Sequence, residues 1–121
     1  MNIGPVSLIA TKSGNHWTLT ANYTASFTQE ELNLGFVFQD AVRFWEWDDS
    51  DHDNLANGAW TSFTPFSLQS SRVWTWSNIP DDALNTEIGE EELRAEIFLR
   101  NSTTTGAAIN RYSPILTLDP G

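Results

Sequence analysis

Carboxylates are concentrated in one short segment of the chain, EWDDSDHDN, which places five acids in the nine positions 46–54. No Lys or Arg lies between Arg43 and Arg72 to neutralise them. Calcium binds six to eight such hard oxygen ligands at about 2.3–2.6 Å, usually in flexible loops. Three of the acids alternate like the first ligands of an EF-hand loop, and we predict that they bind calcium: Asp49, Asp51 and Asp53.

The EF-hand pattern goes no further than these three acids. Asn54 stands where such a loop needs glycine, and Trp60 stands where it needs the bidentate Glu. We therefore expect a weak site built from two or three loops rather than one linear motif. A second acidic segment, PDDALNTEIGEEE at 80–92, adds six acids with no base between Arg72 and Arg94. The predicted ligands from this segment are Glu87, Glu90 and Glu91.

Three other interpretations of the acidic segments remain open. The carboxylates can serve only solubility, since acidic loops are common at protein surfaces. They can instead form the docking surface for a basic protein partner. His16 and His52 add a third interpretation, a zinc or nickel site, if the fold brings both imidazoles beside several Asp side chains.

Charge and composition exclude several classes of protein. The formal net charge of the 121 residues is −10, with 16 acids against 6 bases, which disfavours nucleic acid and anionic membranes as partners. The chain has no Cys, so disulfides and thiolate chemistry are excluded. The start, MNIGPVSLIATKSG, lacks a signal-peptide pattern, and no apolar stretch is long enough to span a bilayer. We expect a cytoplasmic protein.

Catalytic patterns are equally sparse. His16 and His52 are the two imidazoles in the chain, and neither is near a nucleophile motif such as G-x-S-x-G. No glycine-rich phosphate loop is present. We therefore predict a binding or structural module rather than an enzyme.

The dominant hydrophobic period of the sequence is two residues, which is typical of half-buried strands. In WTLTANYTASF, residues 17–27, six apolar residues alternate with five polar ones without a break. ELRAEIFLR, residues 92–100, alternates in the same way except at Phe98. These two patterns predict a buried face that includes Leu19, Tyr23, Ile97 and Leu99.

About seven strands are expected along the chain, at residues 5–11, 17–27, 36–47, 60–68, 71–79, 93–100 and 108–118. Turns every 8–12 residues favour an all-β, antiparallel β-sandwich forming a single domain over residues 1–121, of immunoglobulin-like or fibronectin type. Residues 29–34 and 81–93 have room for one helical turn each. In a seven-strand sandwich alternate connections share an end, so both acidic segments should lie at the same end.

Six tryptophans are many for this length, and two pairs have the spacing i, i+2, Trp45/Trp47 and Trp74/Trp76. Each pair therefore lies on one face of its strand. We expect most of these rings to fill the core, with Trp45 or Trp47 as a buried aromatic of the third strand. The alternative is an exposed platform that binds carbohydrate or protein, and Arg43 shares the face of Trp45 and Trp47.

Overall fold

Two antiparallel sheets pack face to face as an all-β sandwich in a computed structural model, which describes residues 1–48, 51–84 and 91–118. The strands are β1 Asn2–Ile3, β2 Ser7–Ser13, β3 His16–Ser26, β4 Phe38–Trp47, β5 His52–Phe63, β6 Gln69–Pro80, β7 Glu91–Asn101, β8 Ile109–Tyr112 and β9 Leu116–Leu118. Two short helices, α1 Gln29–Asn33 and α2 Asp81–Leu84, lie in connections between the sheets. The β-sandwich prediction is confirmed, and the immunoglobulin-like or fibronectin-type subdivision stays a prediction.

In the first sheet, here called sheet A, β3 is central. Strands β1 and β2 follow one another along one side of β3, and β6 pairs with its other side. In sheet B the order is β5-β4-β7, and β8 and β9 both pair with the free side of β7. All these pairings are antiparallel.

Two differences from the expected strands have local causes. The predicted last strand divides into β8 and β9 at Pro114, which has no N–H to give to a ladder. Ser113 takes part in its place: its N–H donates to Ala95 O at 2.8 Å, and its Oγ accepts from the Ala95 N–H at 2.9 Å. Strand β5 begins eight residues earlier than predicted, at His52, because pairing with β4 in a hairpin outweighs the low strand propensity of its polar residues.

The core lies between the sheets and follows the predicted alternation. All six apolar residues of the 17–27 pattern are buried. The four named core residues are buried as predicted: Leu19, Tyr23, Ile97 and Leu99. The aromatic expected on the third strand is Phe44, since Trp45 and Trp47 lie on the outer face of β4 and are only partly covered. That prediction was wrong because Phe44 has the inward parity of the strand.

Polar side chains also reinforce the fold. Thr28 begins α1 with a capping box, in which its side chain accepts from the Glu31 N–H and Glu31 accepts from the Thr28 N–H. Between the sheets, the buried Asp40 carboxylate accepts from the Tyr23 hydroxyl at 2.7 Å and from Arg72 Nε at 2.9 Å, which ties β4 to β3 and β6.

Of the helices that the structure describes, none is long and apolar enough to cross a membrane.

Candidate functional site: an acidic end and an arginine–aromatic face

The strand register brings part of both acidic segments to one end of sheet B. Glu46 pairs with Leu93, and Trp47 pairs with His52 across the β4–β5 hairpin. The hairpin residues 48 and 51–53 therefore lie at the same end as the start of β7. We call these residues, together with Glu91 and Glu92, the acidic end.

The predicted calcium ligands have different environments within this end. Asp51 and Asp53 are exposed in the hairpin, whereas Glu91 is buried at the first position of β7. The other predicted ligands, Asp49, Glu87 and Glu90, lie outside the described residues. Within the described ranges, no group of three or more His, Asp or Glu is placed to hold a metal ion. The calcium site remains a prediction.

The outer face of sheet B carries a different set of groups, which we call the arginine–aromatic face. Strands β4, β5, β7 and β8 all contribute to it, because outward positions of neighbouring strands lie side by side. Its rings and cations are Trp45, Trp47, Trp60, Phe98, Tyr112, Arg43, Arg94 and Arg100. The sequence predicted the shared face of Arg43, Trp45 and Trp47 but not the contributions of the other strands.

Trp47 stands between side chains from both neighbouring strands. His52 of β5 stacks on its ring with the centroids 3.6 Å apart and the planes at 15°. On the β7 side, the Arg94 guanidinium lies 4.8 Å from the Trp47 centroid and 4.9 Å from that of Tyr112. Because both faces of the Trp47 ring are covered, Trp47 serves as support for Arg94 rather than as an open stacking platform.

Glu96 holds the centre of this face together. Its buried carboxylate accepts from Trp45 Nε1 at 3.1 Å and from Asn110 Nδ2 at 2.7 Å. Burial, with hydrogen bonding to Glu96 and its negative charge, raises the pKa of Tyr112 above its ordinary value. The network fixes the orientation of rings that are otherwise partly exposed.

A half-open recess of about 300 Å³ lies at the middle of the face. Its walls are Arg43, Asn57, Trp60 and Phe98. Ala41 and Ala59 also line it, and their short side chains leave the space open. Trp60 is 37% exposed, more than any other described tryptophan. Its ring lies 6.4 Å from that of Phe98 at an interplanar angle of 66°. The recess therefore offers two rings, an amide and a cation to one small group.

A β-bulge creates the recess. Asp40 pairs with Thr61 and Val42 with Gly58, so two residues of β5, Ala59 and Trp60, lie opposite a single residue of β4. Without the extra residue, Trp60 would share the inward parity of Gly58. The bulge turns the Trp60 side chain to the outer face, which is a common use of bulges near binding sites.

The arginines of the arginine–aromatic face rest on its rings. The Arg43 guanidinium lies 4.9 Å from the Phe98 centroid, and that of Arg100 lies 3.8 Å from the Trp60 centroid. Arg100 Nε donates to Gln39 Oε1 at 2.9 Å, and Arg94 Nε donates to Ser113 O at 2.9 Å. None of the ion pairs between described residues involves Arg43, Arg94 or Arg100. Within the part of the chain that the structure describes, three of the six basic residues thus share one face without an ion pair.

Comparison of the chain with protein-family models, with curated proteins and with solved structures gives no match. The geometry of the acidic end and of the arginine–aromatic face is therefore the evidence that bears on function.

Proposed function

We propose that the chain is a non-enzymatic binding module that recognises carbohydrate through the arginine–aromatic face. The observation that carries this proposal is the recess between Trp60 and Phe98, whose size suits one small ring. Its lining combines aromatic rings with Asn57 and Arg43, which can hydrogen-bond to several hydroxyl groups at once.

The composition of the face favours carbohydrate over an apolar protein partner. The described outward positions of β4, β5 and β7 carry rings, amides, arginines, small residues and the two acids Glu92 and Glu96, and none carries Leu, Ile, Val or Met. A sugar needs ring contact and planar hydrogen-bonding groups, and the face supplies both. The network around Glu96 and the arginine–ring contacts hold these groups in place before a ligand arrives, which lowers the ordering cost of binding.

Amide chemical shifts measured during titration with a panel of neutral and acidic oligosaccharides test the proposal. We expect the shifts to cluster on β4, β5 and β7, and we expect Trp60→Ala to weaken binding at least tenfold. Val73→Ala is the matched control, because Val73 is exposed on the outer face of sheet A. Binding that is absent for the whole panel, or unaffected by Trp60→Ala, contradicts the proposal.

A second candidate function is weak binding of a divalent cation, with calcium preferred, at the acidic end. The register between β4 and β7 favours it, because it brings Asp51 and Asp53 to the end at which Glu91 begins its strand. Loop sites of this kind bind calcium at roughly 10⁻⁴–10⁻³ M. Calcium titration followed by amide shifts tests it, with the Asp51→Asn, Asp53→Asn double variant as the comparison. Shifts at residues 48–54 that do not move up to about 10 mM calcium, well above that range, contradict it.

A further inference from the structure

We propose that the carbohydrate bound by the arginine–aromatic face is an acidic one, a polysaccharide containing uronic acid residues, with a carboxylate held by Arg43 at the rim of the recess. The inference rests on the proposed function and adds the substrate class to it.

The first support is the state of Arg43 itself. Its side chain is exposed, its guanidinium lies against the Phe98 ring, and none of the hydrogen bonds or ion pairs between described residues involves that guanidinium. A guanidinium fixed by a ring presents its N–H groups at the edge of its plane, where they match the two oxygens of a carboxylate. Glu96 lies opposite Arg43 in the β4–β7 ladder, but its carboxylate accepts from Trp45 and Asn110. Among the described residues no carboxylate forms an ion pair with Arg43, so its guanidinium is available to an anion from outside.

The second support is the distribution of the other cations. Arg94 and Arg100 are separated by six residues on β7, which corresponds to roughly 20 Å along the strand, and Arg43 lies beside the middle of that line on β4. Each guanidinium rests on an aromatic ring. Three ring-supported arginines at intervals fit an extended ligand with spaced negative charges better than they fit one compact anion.

The charge of the whole chain decides between kinds of anionic ligand. A net charge of −10 repels densely charged polymers such as nucleic acid at long range. Screening limits that repulsion to about 8 Å at physiological ionic strength, so a sparsely charged chain responds mainly to the local arginines. A polysaccharide whose carboxylates are separated by neutral hydroxylated rings is sparsely charged in this sense. Its rings can also occupy the recess.

Paired polysaccharides test the inference. Hyaluronan oligomers, in which a neutral sugar separates successive uronic acids, are compared with the same oligomers after chemical reduction of their carboxyl groups to hydroxymethyl groups. Polygalacturonate and alginate oligomers, which carry a carboxylate on every ring, are compared with their reduced forms in the same way as densely charged counterparts. We expect at least one acidic oligomer to bind at least tenfold more tightly than its reduced partner. Arg43→Gln should remove most of that difference and Arg100→Gln part of it. Lys12→Gln, which removes one positive charge outside the face, should leave it unchanged.

The outcomes separate the inference from the function on which it rests. Equal binding of acidic and reduced oligomers overturns the inference and leaves carbohydrate binding standing. A preference for the acid that survives both arginine substitutions also overturns it, because the carboxylate is then recognised elsewhere. Binding of polyglutamate without binding of any oligosaccharide overturns both statements in favour of an acidic protein partner. Absence of all binding overturns both as well.

Discussion

At the scale of single residues, Asp40 is the buried group that no pattern in the sequence indicated. Its carboxylate is fully buried between the sheets, and it is held by Arg72 through two hydrogen bonds, at 2.9 and 3.1 Å, and by the Tyr23 hydroxyl at 2.7 Å. A buried charge is tolerated only when it is paired and hydrogen-bonded. The polar cluster therefore stabilises one relative placement of β3, β4 and β6.

Removal of the cation from this cluster should be costly. Arg72→Met leaves Asp40 buried with one remaining partner, Tyr23, and we expect a loss of about 3–5 kcal/mol in the free energy of unfolding. Urea denaturation at pH 7 measures the loss. The Arg111→Met variant is a control, since Arg111 donates to a backbone oxygen, that of Ile3, rather than to a carboxylate. A loss from Arg72→Met no larger than that of the control would show that the Arg72–Asp40 pair contributes little to stability.

Tyr23 gives the protein a pH dependence in the alkaline range. Burial, and then the hydrogen bond to Asp40 with its negative charge, raises the pKa of Tyr23 far above its ordinary value of 10.0. Above pH 10 the unfolded chain loses this proton while the folded chain keeps it. The unfolded state then binds fewer protons, so stability falls as pH rises, by up to about 1.4 kcal/mol per pH unit for one group.

Denaturation at pH 8.5 and pH 11 tests this expectation. Tyr23→Phe should show a smaller loss between the two pH values than the unmodified protein. Some loss should remain, because the pKa of Tyr112 is also raised and acts in the same direction. An equal loss in the variant and the unmodified protein would assign the alkaline dependence to other groups.

At the scale of elements, the bulge in β5 has consequences on both faces of sheet B. On the outer face it directs Trp60 to the recess, as described above. On the inner face it places Gly58 opposite Val42, where the Trp74 ring of β6 packs closely against the strand. A Cβ at Gly58 would lie 2.6 Å from Trp74 Cζ3 and 2.8 Å from Val42 Cγ1. Glycine is therefore required here for packing.

Gly58→Ala should destabilise the protein through this overlap, by about 1–3 kcal/mol, the usual cost of overpacking. Gly106→Ala is the matched control, because its added Cβ would meet its nearest neighbour, Thr104 Oγ1, at an ordinary 3.6 Å. Thermal denaturation compares the two variants. Gly58→Ala also tests whether packing on the inner face of sheet B affects its outer face. If the bulge shifts to relieve the overlap, the amide chemical shifts of Ala59 and Trp60 should change more than those of β2.

At the scale of the whole molecule, charge is distributed unevenly. The acidic end collects carboxylates from the β4–β5 hairpin and the start of β7, and Asp53 lies directly opposite Glu46 in the ladder. Like charges opposite one another are destabilising, by roughly 0.2–1 kcal/mol per pair. The arginine–aromatic face, by contrast, holds three of the six basic residues.

Added salt should therefore stabilise the protein at pH 7 by weakening repulsion at the acidic end, since at 0.1 M salt the interaction between exposed charges decays over a Debye length of about 10 Å. We expect the melting temperature to rise between 10 mM and 300 mM sodium chloride. The Asp51→Asn, Asp53→Asn double variant should melt higher at low salt and respond less to added salt. A melting temperature that does not depend on salt in the unmodified protein would mean that the carboxylates of this end do not repel one another.

The sequence by itself determined which face is buried in the segments that alternate without a break, but not in β4, where Trp45 or Trp47 was expected inside and both lie on the outer face. The two-residue period of residues 17–27 predicted six buried side chains, and the structure buries all six. The same alternation placed Trp45 and Trp47 on one face with Arg43. Side-chain parity within an unbroken strand depends only on local geometry, so it can be predicted from one segment without knowledge of its neighbours.

Only the tertiary structure decided the composition of the candidate site. Trp60 turns outward because β5 has one residue more than β4 at the bulge, a relation between two strands that neither segment reveals alone. Arg94, Phe98 and Arg100 join Arg43 because β7 pairs with β4 in a particular register, although 50 residues separate them in sequence. A one-residue change in that register would move every outward side chain of β7 to the other face, so the site exists only where the pairing is fixed.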